Sequence, residues 1–164
     1  MSRTPESPGQ RLVAKPRVHV YAGNPLDRGD RQRRDEAWIS ARTHDSDSRF
    51  LPLRELSILV SGDGLAWLGA DDLAGLGIEA APVFLGLLDG RAYFAVDVSG
   101  LAGAIGQLEA GGQSRFEDAR VAAGHLSGPD AGIVAQARAQ IDWHTRYRFC
   151  SVCGHESESK RGGP

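Results

Sequence analysis

An α+β fold, with an antiparallel or mixed sheet and flanking helices, is the class this sequence predicts. Three observations carry it. Short apolar runs broken by glycine and aspartate fill the middle of the chain, helical spacing takes over in the last third, and no repeat links the two. Strands first and helices later is the order expected of α+β rather than of alternating βα units.

Length and composition fit one domain with a small appendage. The 164 residues can bury a core without staples. The formal net charge of −2 creates no global field to gather nucleic acid or an acidic membrane. No run of about 18 apolar residues occurs, so no transmembrane helix is expected. Residues 1–15 are polar, carry Pro5 and Pro8, and lack the apolar core of a secretory signal. They read as a disordered leader on a cytoplasmic protein. In that reducing setting a Cys pair points to metal or redox chemistry rather than to a stable disulfide.

Residues 16–142 form the expected main domain. Val18 and Val20 alternate briefly before a turn at Asn24-Pro25. Ala37, Trp38 and Ala41 at helical spacing predict a surface helix over 30–43, ended by the polar "THDSDS". Its mixed arginines and acids read as a solvated face. "RFLPL", "ELSILVSGDGLAWLG" and "APVFLGLLDGRAYFAVDVS" read as strands, with hairpin turns at "SGDG" (61–64) and "LDGR" (88–91). Val83, Leu85 and Leu87 share one face, and Ala92, Phe94, Val96 and Val98 are expected to form the matching face of the return strand. "DDLAGLG" predicts one helical turn closed by Gly75 or Gly77, capped by Asp71-Asp72. "SRFEDARVAAGHL" predicts a short helix over 115–126, with Glu117-Asp118 as its solvated first turn. A final helix with Ile133, Val134, Ala137, Ile141 and His144 on one stripe starts at an Asp130 N-cap.

Chemistry concentrates at the end of the chain. Cys150 and Cys153, in "FCSVCG", are spaced so that both thiolates reach one ion, and Gly154 permits the tight backbone around them. A redox pair is the lesser reading, because such a motif opens a helix after a strand and this one follows a helix. Zinc needs four ligands. His144 and His155 are candidates but awkwardly placed, so the second pair is expected from chain beyond these residues or from another chain. No nucleophile elbow or P-loop occurs, and "LAGAIGQ" is too weak a match to a dinucleotide loop. Arg115, Arg120 and Arg138 lie on or near elements that should flank the sheet, and each could meet a phosphate through its planar fork. Surface solubility or a helix pair is the plainer reading for each.

Five strings occur in order: "NPLDR", "LAWLG", "VFLGLLDGRAYFAVDVS", "RFEDAR" and "AGIVAQARAQIDWHTRYRFCSVCG". With them the chain resembles the N-terminal part of the NADH pyrophosphatases, a branch of the Nudix hydrolases. The resemblance implies a Nudix-like domain over 16–142 and half a zinc ribbon over 143–164, with Cys150 and Cys153 on Zn²⁺. It implies Arg120 as a substrate contact. It further implies a homodimeric parent that splits NAD(H) into nicotinamide mononucleotide and AMP, or removes NAD caps from RNA, using Mg²⁺ or Mn²⁺. The second Cys pair and the glutamate-bearing Nudix box have no match in these residues. The chain therefore reads as cut mid-ribbon, without the catalytic Nudix domain and inactive alone. The alternative is a non-catalytic zinc-knuckle module that contacts RNA or a protein. Neutral charge and a lack of interleaved aromatics at the knuckle weigh against RNA.

Overall fold

The structure, a computed structural model, describes residues 19–157. The leader at 1–15 lies outside them, and so does Val18. Val20 sits in a turn closed by Ala22 N–H to His19 O (2.8 Å), not in a strand.

The predicted helix over 30–43 is two helices, α1 (Asp30–Arg33) and α2 (Glu36–Thr43). Asp35 starts the second by accepting from Trp38 N–H (3.0 Å), which satisfies an orphan donor of its first turn. Arg33 leaves the surface and donates to the carbonyls of Phe84 (2.7 Å) and Leu85 (3.3 Å). Burial, followed by the nearby Arg28 charge, pulls the Arg33 pKa down to about 10, which still leaves it charged at pH 7.

Strand β1 (Arg49–Arg54) turns through Glu55-Leu56 into β2 (Ser57–Ser61), and Gly62-Asp63 leads into β3 (Gly64–Leu65). The first of these hairpins has no glycine, yet Glu55 and Leu56 both have positive φ. Ser99 Oγ accepts from Glu55 N–H (2.7 Å) and braces that turn from across the sheet. Helix α3 (Ala70–Gly75) follows, with Asp72 accepting from Gly69 N–H (2.7 Å), as the acidic pair predicts. Strands β4 (Val83–Leu88) and β5 (Arg91–Asp97) meet at Asp89-Gly90, both at positive φ, the backbone a two-residue hairpin of the I′ kind requires. "LAGAIGQ" belongs to a helix, α4 (Ala102–Ala110). Ala104 is buried and Gly103 faces open space, so the string is no phosphate loop.

The expected helix over 115–126 is corrected. Ser114–Glu117 form strand β6, paired antiparallel with β2 from Ile58↔Glu117 to Ser61↔Ser114, and only Ala119–Ala122 form a helix, α5. Phe116 packs with the apolar cluster that contains Phe94, while Arg115 and Glu117 pair with each other two residues apart, the period of a strand. Helix α6 (Gly128–Arg146) starts earlier than predicted. Ser127 is its N-cap and accepts from Asp130 N–H (3.2 Å), and Pro129 fits the first turn, where no N–H partner is needed.

The six strands make one mixed sheet in the order β3-β2-β1-β5-β4, with β6 also on β2. β1 and β5 are parallel, and every other pairing is antiparallel. Both faces are covered. Leu51, Leu53, Val60, Val83 and Leu85 face α5 and α6 through Ala122, Val134, Ala137 and Ile141. Phe50, Phe84, Phe94, Val96 and Val98 face α2, α3 and α4 through Trp38, Leu73 and Ala104.

Strand β4 changes faces midway. Val83 and Leu85 share the α6 face with Ala95, whereas Leu87 joins Ala92, Phe94, Val96 and Val98 on the other. The expected match of Val83 and Leu85 with Phe94 and Val96 is therefore wrong. A bulge between Phe84 and Gly86 inserts one residue and inverts the alternation. It also frees carbonyls: Arg33 takes those of Phe84 and Leu85, and Gln136 of α6 takes that of Leu85 as well (2.6 Å).

A candidate phosphate cleft and a cysteine knuckle

"NPLDR" ties the fold together beside the bulge. Asn24 Nδ2 donates to Gln136 Oε1 (2.6 Å) on α6, Leu26 enters the core, and Asp27 exchanges two backbone bonds with Leu87 (2.7 and 2.8 Å). This anchoring places Tyr21, just upstream, over the start of α5 and the middle of α6.

A cleft of about 400 Å³ opens there, lined by Tyr21, Arg120, Val134, Arg138, Ala139 and Asp142. Each wall follows from local sequence. Asp118 caps α5 by accepting from Arg120 N–H (2.8 Å), which turns the chain out of β6, buries Ala119 and leaves Arg120 at the cleft. On α6, Val134, Arg138 and Asp142 recur every four residues and so share a face. Of the three arginines singled out from sequence, the structure brings Arg120 and Arg138 together. Arg115 stays on β6, paired with Glu117 (3.2 Å). Among the described residues neither Arg120 nor Arg138 has an ion-pair partner. Arg138 Nε is moreover buried with no hydrogen-bond partner. Asp142 is held by Arg146 Nε (2.7 Å).

Below the cleft, Glu117 accepts from His125 Nε2 (2.6 Å) and Arg115. The His125 hydrogen bond is the main cause holding the Glu117 carboxyl below its ordinary range. Glu117 is thus no solvated first-turn residue, and His125 has a defined partner. That pairing spans a strand and a helix, so no periodicity in the sequence announces it. Tyr21 and Asp142 were also missed. Asp142 could have been found four residues after Arg138, but nothing near Tyr21 signals its place.

The cysteines lie past α6. Phe149 and Glu156 form a bridge, Cys150 N–H donates to His155 O (2.7 Å), and Gly154 N–H donates to Cys150 O (2.9 Å) with Gly154 at φ 71°. The backbone N–H groups of Cys153 and Val152 point at Cys150 and hold its thiol below the usual range. A tight turn with N–H groups aimed at sulfur is the setting in which a thiolate ligand is stable, so the pair fits two positions of a tetrahedral zinc. Both cysteines are free, and no group of three metal-capable side chains occurs among the described residues, so neither His144 nor His155 joins them there. Burial pushes the His144 imidazole below its ordinary value, and its Nε2 is buried without a partner. The expected lack of aromatics near the knuckle is corrected: Trp143 and Tyr147 stack at 3.8 Å, and these two and Phe149 are exposed, interleaved with Arg146 and Arg148. No helix among the described residues is long and apolar enough to cross a membrane.

Residues 47–143, more than half of the chain, match the model of the NADH pyrophosphatase-like rudimentary NUDIX domain. The matched span ends before the cysteines and contains β1 through the cleft-lining part of α6. Human NAD-capped RNA hydrolase NUDT12 is 47% identical over 38 residues, which cover 23% of this chain and 8% of that protein. The Macaca fascicularis protein of the same name gives the same figures, and the Pongo abelii one is 45% identical over 38 residues. The chain thus spans 8% of the length of the curated relatives it matches. With the mixed sheet, its two helical layers and this match in hand, the chain belongs to the NADH pyrophosphatase-like rudimentary NUDIX domain family.

Proposed function

We propose that this chain supplies the non-catalytic Nudix-like domain of an enzyme that hydrolyses the diphosphate of NAD(H), either free or as the cap of an RNA, with Arg120 on the substrate side. The observation that carries the reading is the family match over residues 47–143, and the cleft on that domain, lined by Arg120 and Arg138 without acidic partners of their own, agrees with it. The name of the human relative supports NAD-capped RNA as a substrate class. Cys150 and Cys153 hold two of four thiolate positions of a structural Zn²⁺, which on binding fixes the knuckle to whatever supplies the other two. Mg²⁺ or Mn²⁺ serves the parent reaction by neutralising diphosphate charge and activating water. The Nudix-box glutamates that hold it have no counterpart in these 164 residues.

The purified chain, given NADH or NAD-capped RNA with Mg²⁺ or Mn²⁺, is therefore expected to release no nicotinamide mononucleotide above buffer. Chromatography of the products checks this, and release by the chain alone would overturn the non-catalytic reading. The second reading, a knuckle that contacts RNA without catalysis, is favoured by exposed Trp143, Tyr147 and Phe149 interleaved with arginine. Its mark is RNA retention that falls with salt, unaffected by loss of Arg120.

A further inference from the structure

We propose that the α5–α6 cleft is a binding site for a nucleoside monophosphate moiety, with Arg138 joining Arg120 as a two-armed phosphate clamp and Tyr21 as the wall beside the nucleoside. The proposal rests on the reading of Arg120 as a substrate contact, and it adds a second arginine, a ligand moiety and a stacking surface.

Five observations carry it. The cleft, at about 400 Å³, lies within the range of small-molecule sites, and its lining includes the buried apolar Ala119 and Val134. Two arginines line it from different elements, Arg120 from α5 and Arg138 from α6. Arg138 Nε is buried and unpartnered. A buried donor without an acceptor is a destabilising arrangement unless a ligand completes it. The one carboxylate present, Asp142, accepts at Oδ1 from Arg146 Nε (2.7 Å), so its charge is met from outside the cleft and its other oxygen can accept from a ribose hydroxyl. A phosphate matches two planar forks better than a carboxylate does, because three oxygens can take donors from two directions. Tyr21, an exposed ring at the rim, supplies a face for a base.

The experiment follows the arginine Nε–Hε resonances of the ¹⁵N-labelled chain by NMR while AMP, inorganic phosphate or adenosine is added. AMP is expected to shift the Arg138 and Arg120 signals. Phosphate should move the same signals at higher concentration, and adenosine should move neither. Arg138→Gln is expected to weaken AMP binding about tenfold, the scale of a charge-assisted bidentate contact. Arg138→Lys should recover part of the loss, and Arg115→Gln, outside the cleft, should leave binding as it is. Unchanged backbone spectra show that each variant is folded, and Arg120→Gln provides a second reading should Arg138→Gln not fold. An Arg138 signal unmoved by AMP, adenosine binding equal to AMP, or wild-type AMP affinity in Arg138→Gln would each overturn the site. Such a result leaves the functional reading standing, whereas NADH turnover by the chain alone would sink that reading and leave this site intact.

Discussion

A methyl group added at Gly86 would lie 2.3 Å from Asp27 O and 3.0 Å from Leu26 Cβ. The first contact is with backbone held by two hydrogen bonds, so it cannot swing aside. Gly86→Ala is expected to destabilise the fold by about 3 kcal/mol or more, the upper range for overpacking. Gly103→Ala, in open space on α4, should be neutral or stabilise by about 0.5–1 kcal/mol. Urea midpoints at constant slope measure both. Equal effects would remove the argument that "NPLDR" clamps the bulge. At this scale the sequence was informative about charge and silent about position. Arg120 and Arg138 could be singled out as phosphate candidates because guanidinium chemistry is written in the residue type. Their convergence depends on Asp118 turning the chain and on α6 crossing it, and neither is visible in spacing.

Elements were legible where the local signal and the tertiary setting agreed. Asp89-Gly90 demands a tight hairpin and forms one. The failures share a cause: a partner far along the chain decides the conformation. "SRFE" has helical neighbours, but an open edge of β2 takes it as a strand. The Glu55-Leu56 turn lacks glycine because Ser99 braces it. The β6–α5 junction also carries a pH signature. Glu117 is held below the ordinary carboxyl range chiefly by His125, so the pair contributes stability above the unfolded value, about pH 4.3. That contribution is lost as pH falls through the lower folded value. His125→Ala should therefore flatten the stability loss between about pH 5 and pH 3. Denaturation midpoints across that range test it, and parallel acid limbs in the two proteins would count against the pairing.

For the whole molecule, the three-layer arrangement explains why the sheet's mixed nature could not be read in advance. Strands covered on both faces lose the polar alternation that distinguishes one face from the other, so β1 and β5 appear simply as apolar runs. The knuckle belongs to this scale too, since nothing among the described residues completes it. Zinc-loaded chain is expected to carry one ion per two chains, bound as Cys150 and Cys153 from each, and Cys150→Ser should abolish it. Elemental analysis of gel-filtered protein gives the ratio. One tightly held zinc in each monomer would instead implicate His144 or His155.

The parallel seam between β1 and β5 has a consequence for how the chain reaches its shape. The hairpins on either side of it are local: Arg54 opposite Ser57 and Leu88 opposite Arg91 close with two residues between them. The seam sets Arg49 against Tyr93, with three strands and a helix in the intervening loop. Ordering that loop, like the longer one that brings β6 to β2, is a slow, entropically costly act of folding. Until it is complete, β1 and β5 each present an apolar unpaired edge, the part of this domain most open to pairing with a neighbouring chain during synthesis.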